Sequence, residues 1–309
     1  MGAAASPARV AVIVRVLGSA AGGGVPQWNC ACANCSAARA GGQPRRSSSG
    51  FAVSRDGEQW WLFNVSPDIA AQIEAAPALQ PRTGRGTPIR GFLLTDANVD
   101  HLGGLAVLRQ QGEHSFTVYS SAIVRELALA QRAFAPFAEP PHVWRAVAAG
   151  ERLTLEPSLL ATVVAVHGLT PGYAGRKPLP DAVVAYLLQD ESGGGAALFA
   201  PVFAEVGEAL LSAAGQAGLA FLDGSFWSDR ELDGVGVTKS ARALGHAPVG
   251  GPGGSLAAFA ERLPRASNCN VYFAHLNNTN PLLDETSDAA AQLGRAGFAL
   301  AEDGLEFRL

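Results

Sequence analysis

Four side chains that can bind a metal ion lie close together in the segment FLLTDANVDHLGGLAVLRQ, at Asp96, Asn98, Asp100 and His101. The apolar run 89–94 before them predicts a buried strand, and the leucines after them predict a helix. Residues two apart on an extended segment point the same way, so Asp96 and Asn98 can face one ion while Asp100 and His101 reach around it. Asp and Asn are also common at strand ends and helix N-caps, so this segment alone leaves metal binding and capping open.

Further metal-competent residues follow the carboxyl ends of predicted strands, at His167, Asp223 and His275. Each histidine taken singly has the alternative of a hydrogen-bonded structural residue. Taken jointly with Asp100 and His101, the set favours a metal site. His114 and His142 lie in polar or proline-flanked stretches and are expected to be solvated.

The turn at 96–101 resembles the His-x-His-x-Asp-His motif of the metallo-β-lactamase superfamily, aligned on Asp-His-Leu-Gly-Gly at 100–104. Asp96 and Asn98 then stand in place of the first two histidines. A carboxylate and an amide move the site toward hard oxygen ligands, so iron(II), manganese or magnesium become plausible beside zinc. A hydrolytic dizinc centre is correspondingly disfavoured. The resemblance implies an α/β fold, a four-layer αββα sandwich, with active-site metal ligands Asp100, His101, His167, Asp223 and His275.

Longer segments narrow the resemblance. VLGSAAGGGVPQWNCACANC, NVSPDI, FLDGSFWSD, ALGHAPVGG and FAHLNNTNPLLDE together resemble the coenzyme PQQ synthesis protein B family over nearly the whole chain. The resemblance implies a role in making pyrroloquinoline quinone (PQQ) from a precursor peptide with cross-linked Glu and Tyr side chains. It implies an iron(II)-dependent oxygenase that uses O₂ to hydroxylate the tyrosine ring. Two alternatives remain open, a metal-dependent hydrolase and a non-catalytic carrier that transports PQQ or its precursor.

A second metal site is predicted at the cysteines of Cys-x-Cys-x-x-Cys, which are Cys30, Cys32 and Cys35. This spacing is too tight for a disulfide framework and suits one tetrahedral structural zinc, although three incidental thiols are the alternative. The fourth ligand is open. Cys269 and Asp284 are candidates, and a superfamily relative that cleaves cyclic phosphodiesters has a histidine at the position of Asn278.

Three residues are candidates for catalysis, namely Asp96, Asn98 and His246. Gly245-His246 resembles a Gly-His of the superfamily's nucleases, which implies acid-base service, while a structural histidine is equally open. The asparagines after His275, at 277, 278 and 280, can hydrogen-bond a polar substrate or satisfy the backbone of a tight turn.

Composition bounds the class of protein. The 309 residues are 48% hydrophobic and 16% charged, which suits one large domain over 1–309 with the cysteine knuckle, about 28–36, as an insertion. A net charge of −4 gives no reason to expect nucleic acid or an anionic membrane as partner. No segment has the ~18 apolar residues of a membrane span, and a reduced thiolate cluster favours the cytoplasm. A homodimer is left open.

The elements that must position these residues follow from periodicity and turn signals. Strand one is predicted over Val10 to Leu17, and a hairpin joins 51–54 to 60–65 around Asp56-Gly57. Ser66-Pro67 is predicted to start a helix. Further strands are predicted near 89–94, 116–119, 161–166, 182–188, 196–200, 219–222, 271–274 and 304–308, and helices near 121–134, 203–217, 254–263 and 284–296. The long loops 41–49, 78–88 and 168–180 are rich in Gly, Pro or Arg, and the resemblance to the superfamily implies that some of them line or cover the pocket.

Overall fold

A computed structural model of the chain describes residues 12–109, 114–263 and 268–309. The strands are β1 Ile13–Gly18, β2 Gly50–Ser54, β3 Trp60–Phe63, β4 Ile89–Leu93, β5 Thr117–Ser121, β6 Val143–Val147, β7 Arg152–Glu156, β8 Leu159–Ala165, β9 Val184–Asp190, β10 Ala196–Ala200, β11 Leu219–Asp223, β12 Asn270–Ala274, β13 Ala299–Leu300 and β14 Glu306–Arg308. The α-helices are α1 Ala33–Arg39, α2 Ile69–Glu74, α3 Val99–Leu102, α4 Gly104–Leu108, α5 Ala122–Leu129, α6 Glu208–Gln216, α7 Ala241–Leu244, α8 Ser255–Arg262 and α9 Asp288–Ala296.

The strands form two seven-stranded sheets, in the orders β14-β1-β2-β3-β4-β5-β6 and β13-β12-β11-β10-β9-β8-β7. A buried apolar cluster fills the space between the sheets, where the rings of Phe63 and Phe199 stack with centroids 4.1 Å apart. The outer face of the first sheet packs against α2 to α5, and that of the second against α6, α8 and α9. The four-layer αββα sandwich expected from the sequence is confirmed.

Sheet register brings the carboxyl ends of several strands to one edge. β4 runs parallel to β3 and β5, and β11 runs parallel to β12. Asp223 at the end of β11 pairs with Ala274 at the end of β12, so His275 is the next residue along. The order of the strands therefore places the residues after β4, β11 and β12 around one cleft.

The structure departs from the predicted elements in several places. The strands β6 and β7 were not predicted, because β6 exposes most of its residues at the edge of its sheet. The helix expected from Ser66 begins at Ile69, since the Ser66 hydroxyl accepts from the Asp68 N–H and donates to Gln72. His142 is buried between aromatic rings and is not solvated. The first two residues predicted for strand one, 10 and 11, lie outside the described residues.

Among the described residues, none of the helices combines the length and apolar character needed to cross a lipid bilayer.

Candidate metal centre

The turn after β4 presents one imidazole to the cleft. His101, on the short helix α3, is fully buried, and its Nδ1 lies 2.6 Å from Oδ2 of Asp96. The other oxygen of Asp96 accepts from the backbone N–H and the side-chain amide of Asn98, at 2.9 and 2.8 Å. Thr95 donates its hydroxyl to Asp96 as well. Asn98 thus holds the carboxylate of Asp96 in place, and that carboxylate orients the ring of His101.

The far wall of the cleft contributes His275, which follows β12. Its φ of 58° is in the left-handed region, which is uncommon for a residue with a Cβ and marks a side chain aimed by surrounding contacts. Nε2 of His275 lies 3.2 Å from Oδ2 of Asp100, and its Nδ1 lies 2.7 Å from the Ser225 hydroxyl. One histidine therefore joins the turn after β4 to the end of β11.

Asp100, His101 and His275 each offer a ligand atom, and these atoms lie within 4.8 Å of one another. Nε2 of His101 is buried and has no hydrogen-bond partner among the described residues. A buried polar atom without a partner costs free energy, and a metal ion at this point would supply the missing interaction. Two imidazole nitrogens and one carboxylate suit a divalent transition metal, so these residues fit an active-site ion.

A second group of metal-competent atoms contains Asp223, His246 and His275. Both oxygens of Asp223 are already engaged. One accepts from the N–H and the hydroxyl of Ser225 at 2.9 and 2.6 Å, and the other lies 2.8 Å from Nδ1 of His246 and accepts from the Phe203 N–H. Asp223 therefore orients His246 much as Asp96 orients His101, and the group Asp100, His101 and His275 is the better metal site.

The electrostatics of the cleft follow from two buried carboxylates, Asp96 and Asp223, and the partly exposed Asp100 beside three imidazoles. Burial disfavours the imidazolium of His101, but the carboxylates of Asp96 and Asp100 outweigh it and raise its pKa to about 9. Burial likewise lowers the pKa of His246, yet Asp223 more than compensates and the net shift is upward. Burial dominates for His275, whose pKa is lowered. The cleft therefore has the excess of negative charge that a cation would neutralise.

A cavity of about 180 Å³ opens onto this group. Its walls include the predicted residues Asn98, Asp100, His246 and His275, together with Asn277. Of the three loops expected near the pocket, 168–180 supplies further walls, and 41–49 and 78–88 contribute none of the described lining residues. A larger cavity of about 570 Å³ lies between β1 and α2, and it contains none of the metal-competent group. Of these two cavities, the smaller one is therefore the candidate substrate site, because metal-competent side chains line it.

The structure does not bring His167 into this group. Its side chain is 70% exposed, and its Nδ1 lies 3.5 Å from a carboxylate oxygen of Glu205. The backbone explains the position, because His167 forms an isolated antiparallel bridge with Glu205 and its carbonyl accepts from the Ala204 N–H. That bridge also delays the start of α6 to Glu208, five residues after the predicted helix start at 203.

The cysteine cluster is assembled as predicted. The sulfurs of Cys30, Cys32 and Cys35 lie within 4.8 Å of one another, and all three thiols are free. Burial, together with Cys32 and Cys30, raises the pKa of the Cys35 thiol to about 11. Thiolates this close require a cation, and three sulfurs at short loop spacing fit a tetrahedral zinc.

Asn278 lies beside the sulfurs of the cysteine cluster. Its side-chain nitrogen lies 3.5 Å from the sulfur of Cys32 and 3.4 Å from that of Cys35. Rotation of the amide by 180° would present the oxygen in place of the nitrogen to an ion held by the three sulfurs. Cys269 and Asp284 lie outside the group of metal-competent atoms.

Some residues of the cleft were not predicted. Ser225 contacts Asp223, His246 and His275, and its only signal in the sequence is its position two residues after Asp223. Glu231 is mostly buried behind Asn277, where it accepts from a backbone N–H and a threonine hydroxyl. Neither role can be inferred without the turns that bring these segments together.

Comparison with known proteins agrees with this geometry. A family model described as a beta-lactamase superfamily domain matches residues 59–267. Coenzyme PQQ synthesis protein B of Ruegeria pomeroyi is 38% identical, covering 95% of this chain and 99% of that protein. Its counterpart in Pseudomonas aeruginosa is 38% identical over 96% of this chain and 99% of its own length. The crystal structure of Zn²⁺-bound PqqB from Methylobacterium extorquens has a TM-score of 0.88 and 35% identity, covering 96% of this chain and 100% of that one.

Proposed function

Because the chain belongs to the coenzyme PQQ synthesis protein B family, within the beta-lactamase superfamily, we propose that it is an iron(II)-dependent oxygenase that hydroxylates the tyrosine ring of a cross-linked Glu-Tyr precursor peptide. Membership of this superfamily suggests a metal-dependent enzyme. The iron, the hydroxylation and the peptide are the proposal.

One observation carries the proposal: two buried imidazoles and one carboxylate, from His101, His275 and Asp100, converge on one point. This donor set is the one that non-haem iron(II) oxygenases use, and it leaves coordination positions open. Bound iron(II) would supply the activation of O₂. Asp96 is committed to Nδ1 of His101 and Asn98 to Asp96, so neither offers the ligands that a second zinc would take from two histidines.

Residues of this chain would orient the tyrosine ring of the substrate and exchange protons with it. His246 lines the cavity, and Asp223 holds its Nδ1, so proton exchange with a substrate would occur at Nε2. Asn98 and Asn277 also line the cavity, where their amide oxygens can accept hydrogen bonds from a polar substrate. The apolar side chains of Val202 and Phe226 complete a cavity that suits an aromatic ring.

The atoms and electrons of the hydroxylation balance as follows. One oxygen atom of O₂ enters an aromatic C–H bond and gives a C–OH group. The other leaves as water, which takes two protons and two electrons from an added reductant such as ascorbate.

Loading the protein with iron(II) without air, and then measuring oxygen uptake and product mass with a Glu-Tyr peptide and ascorbate, tests the proposal. We expect O₂ consumption matched by a mass gain of one oxygen atom, with zinc-loaded protein as the inactive control. Iron-loaded protein that binds the peptide without turnover would favour the carrier role. Turnover of an ester, lactam or phosphodiester by the zinc-loaded protein at about 1 per second or more would favour the hydrolase.

A further inference from the structure

The loop between β8 and β9 covers one side of the cavity and is tied to the turn after β4. The Tyr173 hydroxyl donates to the Ala97 carbonyl at 2.7 Å. The backbone N–H of Val184, at the far end of the loop, donates to the carbonyl of Thr95 at 2.8 Å. The loop is therefore anchored to the same turn that carries the metal-competent residues.

Within this loop, local bonds fix the position of Arg176. Thr170 and Lys177 are joined twice, from the Thr170 N–H to the Lys177 carbonyl and from the Lys177 N–H to the Thr170 hydroxyl. Arg176 has a φ of 51°, a left-handed conformation that the closed loop imposes. Its guanidinium crosses Gly172 so closely that a Cβ there would lie 2.9 Å from both terminal nitrogens. Glycine is what allows this approach.

Arg176 is partly buried, and no residue in the described part of the chain forms a hydrogen bond or an ion pair with its guanidinium. It lines the cavity that contains Asp100, His246 and His275, and it is the sole Lys or Arg among the described lining residues. A guanidinium carries five N–H donors in a planar fork, which matches the two oxygens of a carboxylate. The unpaired guanidinium of Arg176 in the wall of this cavity is therefore a candidate binding site for a carboxylate.

Elsewhere in the cavity, the described lining residues offer a carboxylate no second guanidinium and no ammonium group. Asp100 is the one carboxylate among its described lining residues, and it repels an anion. A peptide that places its aromatic ring near the base would therefore turn its carboxylate toward the loop.

We infer that Arg176 is a specificity-determining residue, which pairs with a side-chain carboxylate of the peptide substrate and thereby directs the neighbouring aromatic ring toward His101 and His275. This inference rests on the proposed function for the identity of the substrate as a Glu-Tyr peptide. It adds the group on the protein that recognises the glutamate. Arg176 acts by binding and does not touch the reacting atoms.

Binding of two matched probes tests this assignment without turnover. The probes are N-acetyl-Glu-Tyr-amide and N-acetyl-Gln-Tyr-amide, which differ only in the side-chain carboxylate. Their dissociation constants are measured by calorimetry with zinc-loaded protein under air-free conditions. The variants are Arg176→Gln, Arg176→Lys and, as the matched control, Lys177→Gln, which removes one charge from the adjacent residue outside the cavity lining.

We expect the unmodified protein to bind the Glu probe about tenfold more tightly than the Gln probe, since a paired charge at a partly buried site contributes on the order of 1.4 kcal/mol. Arg176→Gln should abolish that preference by weakening the Glu probe alone. Arg176→Lys should keep part of it, because the charge remains but the fork is lost. Lys177→Gln should match the unmodified protein.

An unmodified protein without preference, or an Arg176→Gln variant that keeps it, would overturn the assignment. Oxygen uptake by iron-loaded protein separates this failure from that of the proposed function. An Arg176-dependent preference in a protein that consumes no O₂ leaves recognition standing and removes the oxygenase. Oxygen uptake that is equal with the Glu and Gln probes, and that Arg176→Gln does not alter, leaves the oxygenase standing and removes recognition by Arg176.

Discussion

Oδ2 of Asp96 lies 2.6 Å from Nδ1 of His101, and both side chains are completely buried. The carboxylate fixes the orientation of the ring, so that Nε2 faces the cleft and can bind a metal ion that displaces its proton. Where the superfamily motif has a metal-binding histidine, this chain has a residue that acts through another histidine. Asp96 is therefore a positioning residue.

Asp96→Asn should weaken metal binding at the active site about 10- to 100-fold, because an amide cannot hold the imidazole in the metal-binding tautomer as a carboxylate does. Competition with a chelator of known affinity measures the change, and thermal unfolding shows whether the variant is folded. Asp288→Asn, at the exposed start of α9, is the control. A folded Asp96→Asn protein with unaltered affinity would contradict the positioning role.

His101→Ala and His275→Ala should each remove the active-site metal and leave the knuckle zinc in place, since the two sites share no residue. Metal analysis of the purified variants should give one metal fewer per chain than the unmodified protein. His167→Ala should keep both ions, because its imidazole is exposed and paired with Glu205. Loss of metal in that control would restore His167 as a ligand.

Cys32→Ser should release one zinc per chain and lower the midpoint of thermal unfolding by several degrees or more, because a structural zinc contributes folding free energy directly. Active-site metal should be retained in the folded fraction. Cys269→Ser makes the same chemical change outside the cluster and should keep the zinc. Full zinc retention by Cys32→Ser would rule out the knuckle as a zinc site.

Glu231 predicts a pH dependence of stability. Burial raises its pKa from 4.5 to about 7, so the folded state holds this proton more tightly than the unfolded state does. The resulting stabilisation is complete below pH 4.5 and is lost as the pH rises through about 7. Glu231→Gln cannot ionise there, so its free energy of unfolding should lack that decline.

Denaturant titrations at several pH values between 4.5 and 8 measure this difference, which should be on the order of 1–3 kcal/mol across the range. Glu126→Gln, at an exposed position of α5, should follow the unmodified protein. Parallel pH profiles for Glu231→Gln and the unmodified protein would show that Glu231 does not titrate in this window.

The sequence by itself determined the layered fold and the cysteine cluster, and it indicated Asp100, His101 and His275 of the candidate metal centre. These features depend on short-range relations: alternating apolar strands, four polar residues in one turn after β4, three cysteines within six residues, and Asp223 and His275 directly after strands. Local spacing suffices there, because a strand followed by a tight turn leaves few directions for the next side chain.

Only the tertiary structure decided which of these residues meet. Asp96 contacts His101 instead of facing the ion, His246 joins Asp223 across 23 residues, and Asn278 reaches the sulfur of Cys32 across 246. His167 follows a predicted strand as His275 does, but a backbone bridge to Glu205 turns it outward. Such outcomes depend on hydrogen bonds between segments far apart in the chain, and no local pattern encodes the direction in which those bonds turn a side chain.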